Sequence, residues 1–152
     1  MPTNSNPMRK HVKNRSLLVL LLVPLGSLGL GVSGQTFTTL YNFTASYTGA
    51  GTGWGPSGGL ILSGNALYGI TEDGDNGDKS GGPNDGTVFK INTNGTGLKG
   101  LHNFSGGSGG VEPSGSLVVS GNTLYGTTQS GGNSDNGTVF AVNTDGTGFT
   151  PV

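Results

Sequence analysis

An acidic segment near the middle of the chain contains the side chains best suited to bind a metal ion. Residues 72–86 read EDGDNGDKSGGPNDG, which places Asp73, Asp75 and Asp78 at short intervals. Carboxylate oxygens are the ligands that Ca²⁺ prefers in proteins. The match to an EF-hand loop is poor, because glycine occupies the fifth position and asparagine the twelfth. We therefore predict either a Ca²⁺ site at these three carboxylates or a solvated surface loop.

Other loop residues are candidates for contact with a neutral ligand. Trp54 lies among glycines, where its ring would either stack on a sugar or pack over the edge of a sheet. Charged side chains that can hydrogen-bond to hydroxyl groups complete the candidate set: Lys79, Asp85, Glu112 and Asp135.

No residue is assigned a catalytic role, and we do not expect an enzyme. The chain contains no cysteine, which excludes a thiolate nucleophile, a thiolate metal site and disulfides. His102 is the one histidine that follows Gly34, and it aligns with Tyr41 in a repeated segment. A position that accepts either ring is typical of packing and not of a general base.

The N-terminal segment, residues 1–34, has the composition of a secretory signal. A basic cluster at 9–15 precedes an uncharged, leucine-rich run at 17–30, and small residues follow before Gln35. A membrane anchor is the alternative, but a spanning helix needs about 20 apolar residues, and this run is shorter and contains Pro24. We predict that residues 1–34 are removed, that no membrane span remains, and that the protein is extracytoplasmic, either secreted or on the cell surface.

The charge of the remaining chain disfavours a nucleic acid partner. Residues 35–152 carry three lysines, no arginine and eight acidic residues, for a formal net charge of −5. Nucleic acid binding needs clustered basic side chains that neutralise phosphates.

Two long segments of the chain occur twice. Residues 56–71 and 113–128 are identical at 11 of 16 positions, and residues 86–97 and 137–148 at 9 of 12. Such self-similarity indicates tandem repeats. We place repeat 1 at about 37–97, repeat 2 at about 98–148 and the start of a third at 149–152.

Each repeat reads as four short strands separated by turns. The strands are rich in β-branched and aromatic residues, and the turns contain Ser-Gly-Asn, Asn-Gly or Asp-Gly, which are typical of hairpins. The predicted strands are 37–43, 59–62, 66–71 and 87–91, then 98–104, 116–119, 123–128 and 138–142. This pattern predicts an all-β fold of antiparallel four-stranded, β-propeller-like blades, about two of them and so an incomplete propeller. An open β-repeat array is the alternative.

Alternate connections of an antiparallel meander lie at the same end of the sheet. The connections that differ in length between the repeats, 44–55 against 105–112 and 72–85 against 129–136, should therefore share one end. All the acidic residues except Asp145 fall at that end, where variable loops commonly carry function.

The motif string SGNxLYGTTxxGG…GTVFxxNxDG…LHNF resembles the GloVer tandem repeat of the "choice-of-anchor" repeat proteins of bacteria. The resemblance covers residues 37–152. It implies an exported bacterial protein with several such repeats, and it carries no established catalytic residues.

These observations together predict an exported, non-catalytic repeat protein that acts as a cell-surface or extracellular binding module with an acidic loop face. A glycan or another surface ligand is the expected partner, no cofactor other than Ca²⁺ is considered, and exposed strand edges predict self-association. A structural array of the cell envelope and a propeller-type carbohydrate-active enzyme are the alternatives.

Overall fold

The computed structural model describes residues 36–44, 52–74 and 85–152. These residues form two four-stranded antiparallel sheets, which confirms the predicted all-β class. The two sheets do not close into a barrel, and the arrangement agrees with an incomplete propeller or an open β-array. Three of the predicted ligands, Asp75, Asp78 and Lys79, lie outside the described residues, as does the predicted signal segment. No helix in the described part of the chain has the length and apolar character needed to cross a membrane.

The strands follow one another in space in the order of the sequence. The first sheet contains β1 (Trp54–Ser63), β2 (Ala66–Asp73), β3 (Thr87–Asn92) and β4 (Lys99–Asn103). The second contains β5 (Val111–Ser120), β6 (Thr123–Ser130), β7 (Val139–Asn143) and β8 (Thr150–Pro151). Each sheet therefore joins three strands of one sequence repeat to the first strand of the next.

Tight turns form one end of each sheet, as the sequence predicts. Gly64 connects β1 to β2 with a φ of 59°, a left-handed conformation that glycine adopts without steric cost. The neighbouring Asn65 accepts a hydrogen bond from the Thr93 N–H at 3.1 Å. In the second sheet Asn122 accepts the same bond from the Thr144 N–H at 2.9 Å. This end is therefore held by equivalent hydrogen bonds in both sheets.

A hydrophobic core joins the two sheets. Phe104, which follows β4 of the first sheet, packs edge-on against Phe140 of the second, with ring centroids 5.0 Å apart. The first strands of the two sheets also meet, because the Gly59 N–H donates to Ser116 Oγ at 3.0 Å. A Cβ on Gly58 would lie 1.9 Å from the carbonyl oxygen of Gly115, so the approach requires glycine. The two sheets therefore pack side by side, in contact at their first strands, as neighbouring repeats do.

The segment before β1 differs from the prediction. Residues 37–43 were predicted to form a strand, but among residues 36–44 the structure has only an isolated bridge at Asn42. The predicted strand is therefore wrong. The segment lies on the face of the first sheet, where Phe43 packs against Phe89 with ring centroids 5.2 Å apart. Packing on this face buries Phe43 without a ladder of backbone hydrogen bonds, whereas Phe37 and Tyr41 stay exposed.

Candidate functional site

The strand registers bring the length-variable connections to one end of the sheets. Trp54 lies opposite Asp73 across β1 and β2, and Val111 lies opposite Ser130 across β5 and β6. The same end holds the start of β3, because Thr87 lies opposite Thr71, two residues before Asp73 in β2. For the described residues, the predicted sharing of one end is confirmed.

Asp73 occupies a confined position at this end. Asp73 is buried, and the Thr71 hydroxyl donates a hydrogen bond to the backbone carbonyl oxygen of Asp73 at 3.0 Å. A Cβ on Gly55 would lie 3.3 Å from its carboxylate, so glycine leaves room for the acid. Burial, reinforced by the negative charge of Glu72, raises the pKa of Asp73 from its ordinary value of 3.8 to about 6.

In the second sheet the carboxylate at this end comes from the first strand, β5, whereas in the first sheet Asp73 belongs to the second strand, β2. Glu112 of β5 aligns with Gly55, and Ser130 of β6 aligns with Asp73. The Ser130 hydroxyl donates to Glu112 Oε2 at 3.2 Å. Each repeat therefore pairs one acid with one small residue, Asp73 with Gly55 in the first and Glu112 with Ser130 in the second. The acid and the small residue exchange strands between the two repeats.

Glu112 adopts an unusual backbone conformation for a residue with a side chain. Its φ is 57°, and the aligned Gly55 has a φ of 69°. The left-handed region costs a non-glycine residue about 1–2 kcal/mol. A glutamate in this conformation is a stability penalty at the position where the other repeat uses glycine, and such local strain is common at functional sites.

A groove between the two sheets collects the polar side chains of this end. Its volume is about 260 Å³, and its lining includes two carboxylates, one from each sheet, together with an amide and two hydroxyl groups: Glu72, Glu112, Gln129, Ser57 and Ser114. Carboxylates accept hydrogen bonds, and the amide both donates and accepts. The groove can therefore hydrogen-bond to a hydroxyl-rich molecule or supply oxygen atoms to a cation.

Only part of the predicted site is brought together here. Glu112 lines the groove, whereas Trp54, Asp85 and Asp135 are not among its lining residues. Asp135 instead closes its own loop, since its carboxylate accepts the Gly131 N–H at 2.9 Å. Among the described residues, no cluster of three or more His, Asp or Glu side chains is arranged to hold a metal ion.

Glu72 and Gln129 line the groove but were not named as site residues from the sequence. The signal that could have found them is their equivalent place in the two repeats. Each directly follows the recurring Leu-Tyr-Gly-x-Thr motif, at the end of a strand where the loops vary. A polar residue of the same length at that point in both copies marks a shared position.

His102 lies away from the groove and packs among aromatic rings. Its imidazole stacks on Phe149 with centroids 3.5 Å apart and meets Phe104 edge-on at 4.8 Å. Burial lowers the pKa of His102 from 6.5 to about 4. The predicted packing role is confirmed by these contacts.

Two sheets with the same registers, the same bulge after Ser57 and Ser114, and the same turns define a tandem β-repeat protein. The chain belongs to the Gloeobacter/Verrucomicrobia repeat family, whose model matches residues 29–152. None of the curated proteins compared with the chain matches it.

Proposed function

We propose that this protein is an exported, non-catalytic binding module that takes a neutral, hydroxyl-rich ligand in the groove between its sheets. The observation that supports the proposal is the convergence of Glu72 and Glu112, from consecutive repeats, on one groove. Carboxylates from two repeats can accept hydrogen bonds from separate hydroxyl groups of one molecule, as a glycan presents them.

The end of the sheets that carries the groove is negatively charged, which disfavours anionic ligands. Glu72, Asp73, Asp85, Glu112 and Asp135 all lie near it, and the groove lining contains no basic side chain. An anionic ligand would be repelled by the negative charge of these carboxylates. A divalent cation is compatible with the same oxygen atoms, and Ca²⁺ would bind either alone or together with a glycan.

The strained backbone of Glu112 is the second argument for a binding role. A glycine at this position would relieve the strain, as Gly55 does in the first sheet. A side chain that lowers stability is retained most simply when its carboxylate has another use. The Glu112 carboxylate then serves to contact the ligand in the groove.

The composition of residues 1–34 supports export. A basic cluster, a short apolar run and small residues ahead of Gln35 are the three parts of a secretory signal. Expression in a bacterial host should yield a mature chain that begins at or near Gln35 outside the cytoplasm. N-terminal sequencing that finds residues 9–30 intact on a cytoplasmic product would contradict the proposed export.

A structural role in the cell envelope is the second candidate, and the core between the sheets favours it. Because Phe104 of one sheet packs on Phe140 of the next, repeats of this kind can stack without a ligand. The two functions differ in a measurable way, since a purely structural array has no ligand that saturates the groove.

The test is a binding screen of the full protein against immobilised neutral glycans, with and without millimolar CaCl₂. Anionic glycans of matched length are the control for charge. A binding module should retain one or more neutral glycans and should not retain the anionic controls. Absence of binding to every neutral glycan and to Ca²⁺ would favour the structural role.

A further inference from the structure

Pro113, the residue after Glu112, anchors this part of the second sheet against the first. Its ring is fully buried. A Cβ on Gly86 of the first repeat would lie 2.2 Å from Pro113 Cδ, so glycine leaves the room that the ring occupies. The ring also fixes the φ of Pro113 at about −65°. The backbone next to Glu112 is therefore held at a defined place beside the first sheet, which supplies Glu72 to the same groove.

The backbone of Glu112 is itself restricted. Its φ is 57°, which lies in the left-handed region. For a residue with a side chain this region is small and extends over only about 20° in φ. The direction in which the Cβ of Glu112 leaves the chain is therefore closely defined. The backbone does not fix the torsions beyond Cβ, which have several staggered rotamers.

Ser130 fixes the far end of the same side chain. It lies opposite Val111, the residue before Glu112, across β5 and β6. The Ser130 hydroxyl donates to Glu112 Oε2 at 3.2 Å. A carboxylate has two acceptor oxygens, so Oε1 can accept a hydrogen bond from a ligand while Oε2 is held by the serine. Ser130 is not among the residues that line the groove, so it can affect a ligand there through Glu112.

Ser130 is in turn held by a series of hydrogen bonds inside the second sheet. The hydroxyl of the buried Thr128 donates to the carbonyl oxygen of Ser130 at 3.1 Å. Thr128 Oγ1 accepts from the Thr138 N–H at 2.9 Å. Because the single hydroxyl proton of Thr128 is directed to Ser130, the Thr138 hydroxyl is the donor in the 2.9 Å contact between the two threonine hydroxyls. The bonds lead from the residue before β7 to the Glu112 carboxylate, and such supporting contacts hold a binding group in place.

The first repeat shows why a serine suits a neighbouring glutamate. Asp73 aligns with Ser130, and its backbone carbonyl accepts the equivalent threonine hydroxyl. Gly55 aligns with Glu112, and a Cβ on Gly55 would lie 3.3 Å from Asp73 Oδ2. A glutamate and an aspartate together at these positions would place two negative charges side by side, which is unfavourable. Serine avoids the repulsion and supplies a hydrogen-bond donor in its place.

We propose that Ser130 is a positioning residue of the groove, which holds the Glu112 carboxylate ready to accept a hydrogen bond from a sugar hydroxyl. The inference rests on the proposed binding of a neutral, hydroxyl-rich ligand and identifies the residue that prepares one of its acceptors. A glutamate without this restraint has to be ordered when the ligand binds, and ordering one long side chain weakens binding about threefold to tenfold. Ser130 orders the side chain before the ligand arrives.

Calorimetry with each neutral oligosaccharide of the glycan screen tests the proposal on the full protein. Ser130→Ala removes the hydroxyl and should weaken binding about threefold to tenfold. Ser130→Thr keeps a hydroxyl on the same carbon and should bind as the unmodified protein does. Ser120→Ala is the matched control and should leave binding unchanged, since Ser120 is a serine of the same sheet at the end formed by the tight turns. Equal binding by Ser130→Ala and the unmodified protein, or no restoration by Ser130→Thr, would overturn the positioning role.

The same change in a protein that lacks the glutamate separates positioning from general structural damage. In the Glu112→Ala background the carboxylate is absent, so Ser130→Ala should weaken binding no further than Glu112→Ala alone. Effects of two residues that act through one contact are not additive. If Ser130→Ala weakens binding by the same factor with and without Glu112, the serine acts through the fold and not through the carboxylate, which would contradict the proposal.

Chemical denaturation without any oligosaccharide reports the hydrogen bond between Ser130 and Glu112 by itself. Ser130→Ala should lower the midpoint of denaturation more in the protein with Glu112 than in the Glu112→Ala variant. Equal shifts in the two proteins would show that the bond does not form in solution, and the proposal would fail.

Positioning and ligand binding fail in different ways. If no oligosaccharide binds the unmodified protein, or if Glu112→Ala leaves binding unaffected, the proposed function is wrong and the role of Ser130 is lost with it. If Glu112→Ala weakens binding and Ser130→Ala does not, the glutamate contacts the oligosaccharide without help, and only the positioning role is overturned.

Discussion

Gly126 lies directly across from Phe140 in β6 and β7, and the phenyl ring covers the space that a side chain would need. A Cβ on Gly126 would lie 2.5 Å from Phe140 Cζ. The first sheet repeats the relationship, because a Cβ on Gly69 would lie 2.7 Å from Phe89 Cζ. The Leu-Tyr-Gly and Thr-Val-Phe motifs therefore recur together because each ring packs on the opposite glycine.

This packing predicts that Gly126→Ala is destabilising. The added methyl group forces Phe140 from its place in the core between the sheets, and overpacking of this kind lowers the free energy of unfolding by about 1–3 kcal/mol. Gly109→Ala is the control, since its Cβ would approach Phe149 no closer than 3.4 Å. Chemical denaturation of both variants measures the difference. Equal stability of the two would show that the ring moves aside freely.

The burial of His102 predicts a loss of stability in mild acid. Its pKa is lowered from 6.5 to about 4 in the folded state, so the unfolded chain binds more protons between these values. The free energy of unfolding contributed by this group therefore falls as the pH drops from about 6.5 toward 4. His102→Tyr, which copies Tyr41 of the other repeat, should remove that part of the pH dependence while keeping the ring stack. Denaturation curves across this pH range test the prediction, and an unchanged slope in the variant would contradict it.

Asp73 has the opposite pH dependence. Its pKa is raised from 3.8 to about 6, so the folded state binds more protons in this window and the stability contributed by Asp73 falls as the pH rises through it. Asp73→Asn should therefore unfold at a higher temperature than the unmodified protein at pH 7, with the difference vanishing near pH 3.5. A variant that is less stable at pH 7 would show that the charged carboxylate makes a favourable contact. Because the windows of Asp73 and His102 overlap, each variant is compared with the unmodified chain at every pH.

The strained backbone at Glu112 predicts that replacing this residue by glycine stabilises the protein. Glu112→Gly places a glycine where φ is 57°, as Gly55 has in the first sheet, and should raise the free energy of unfolding by about 1 kcal/mol. The lost hydrogen bond from Ser130 partly offsets this gain. Glu112→Ala keeps the strain and removes the carboxylate, so it should be less stable than Glu112→Gly. If the two variants were equally stable, the backbone of Glu112 would carry no strain.

The turns and strands of this fold were predictable because their signals are local. Asn-Gly, Asp-Gly and Ser-Gly-Asn set the hairpins, and alternate connections of the resulting antiparallel meander share an end. The behaviour of residues 37–43 was not predictable, since these residues carry the pattern of a strand and yet form only an isolated bridge at Asn42. Local sequence specifies the capacity to pair, and the arrangement of the sheets decides whether pairing occurs.

The candidate site was predictable only in part, for a similar reason. Glu112 and the acidic end of the sheets follow from the meander and the loop lengths. The meeting of Glu72 with Glu112 depends on how two sheets approach each other at Gly58 and Gly115, which no spacing within one repeat reveals.

Two conservative variants distinguish binding of a neutral glycan in the groove from binding elsewhere on the protein. Glu112→Gln removes one carboxylate from the groove, whereas Asp145→Asn removes one at the opposite end and copies Asn94 of the other repeat. Calorimetry is performed with each neutral oligosaccharide of the screen, with and without CaCl₂. At least one probe should bind the unmodified protein and Asp145→Asn equally, and should bind Glu112→Gln about tenfold more weakly, as expected for the loss of a hydrogen bond to a charged group. Equal binding to Glu112→Gln, or no binding of any probe to the unmodified protein, would contradict binding in the groove.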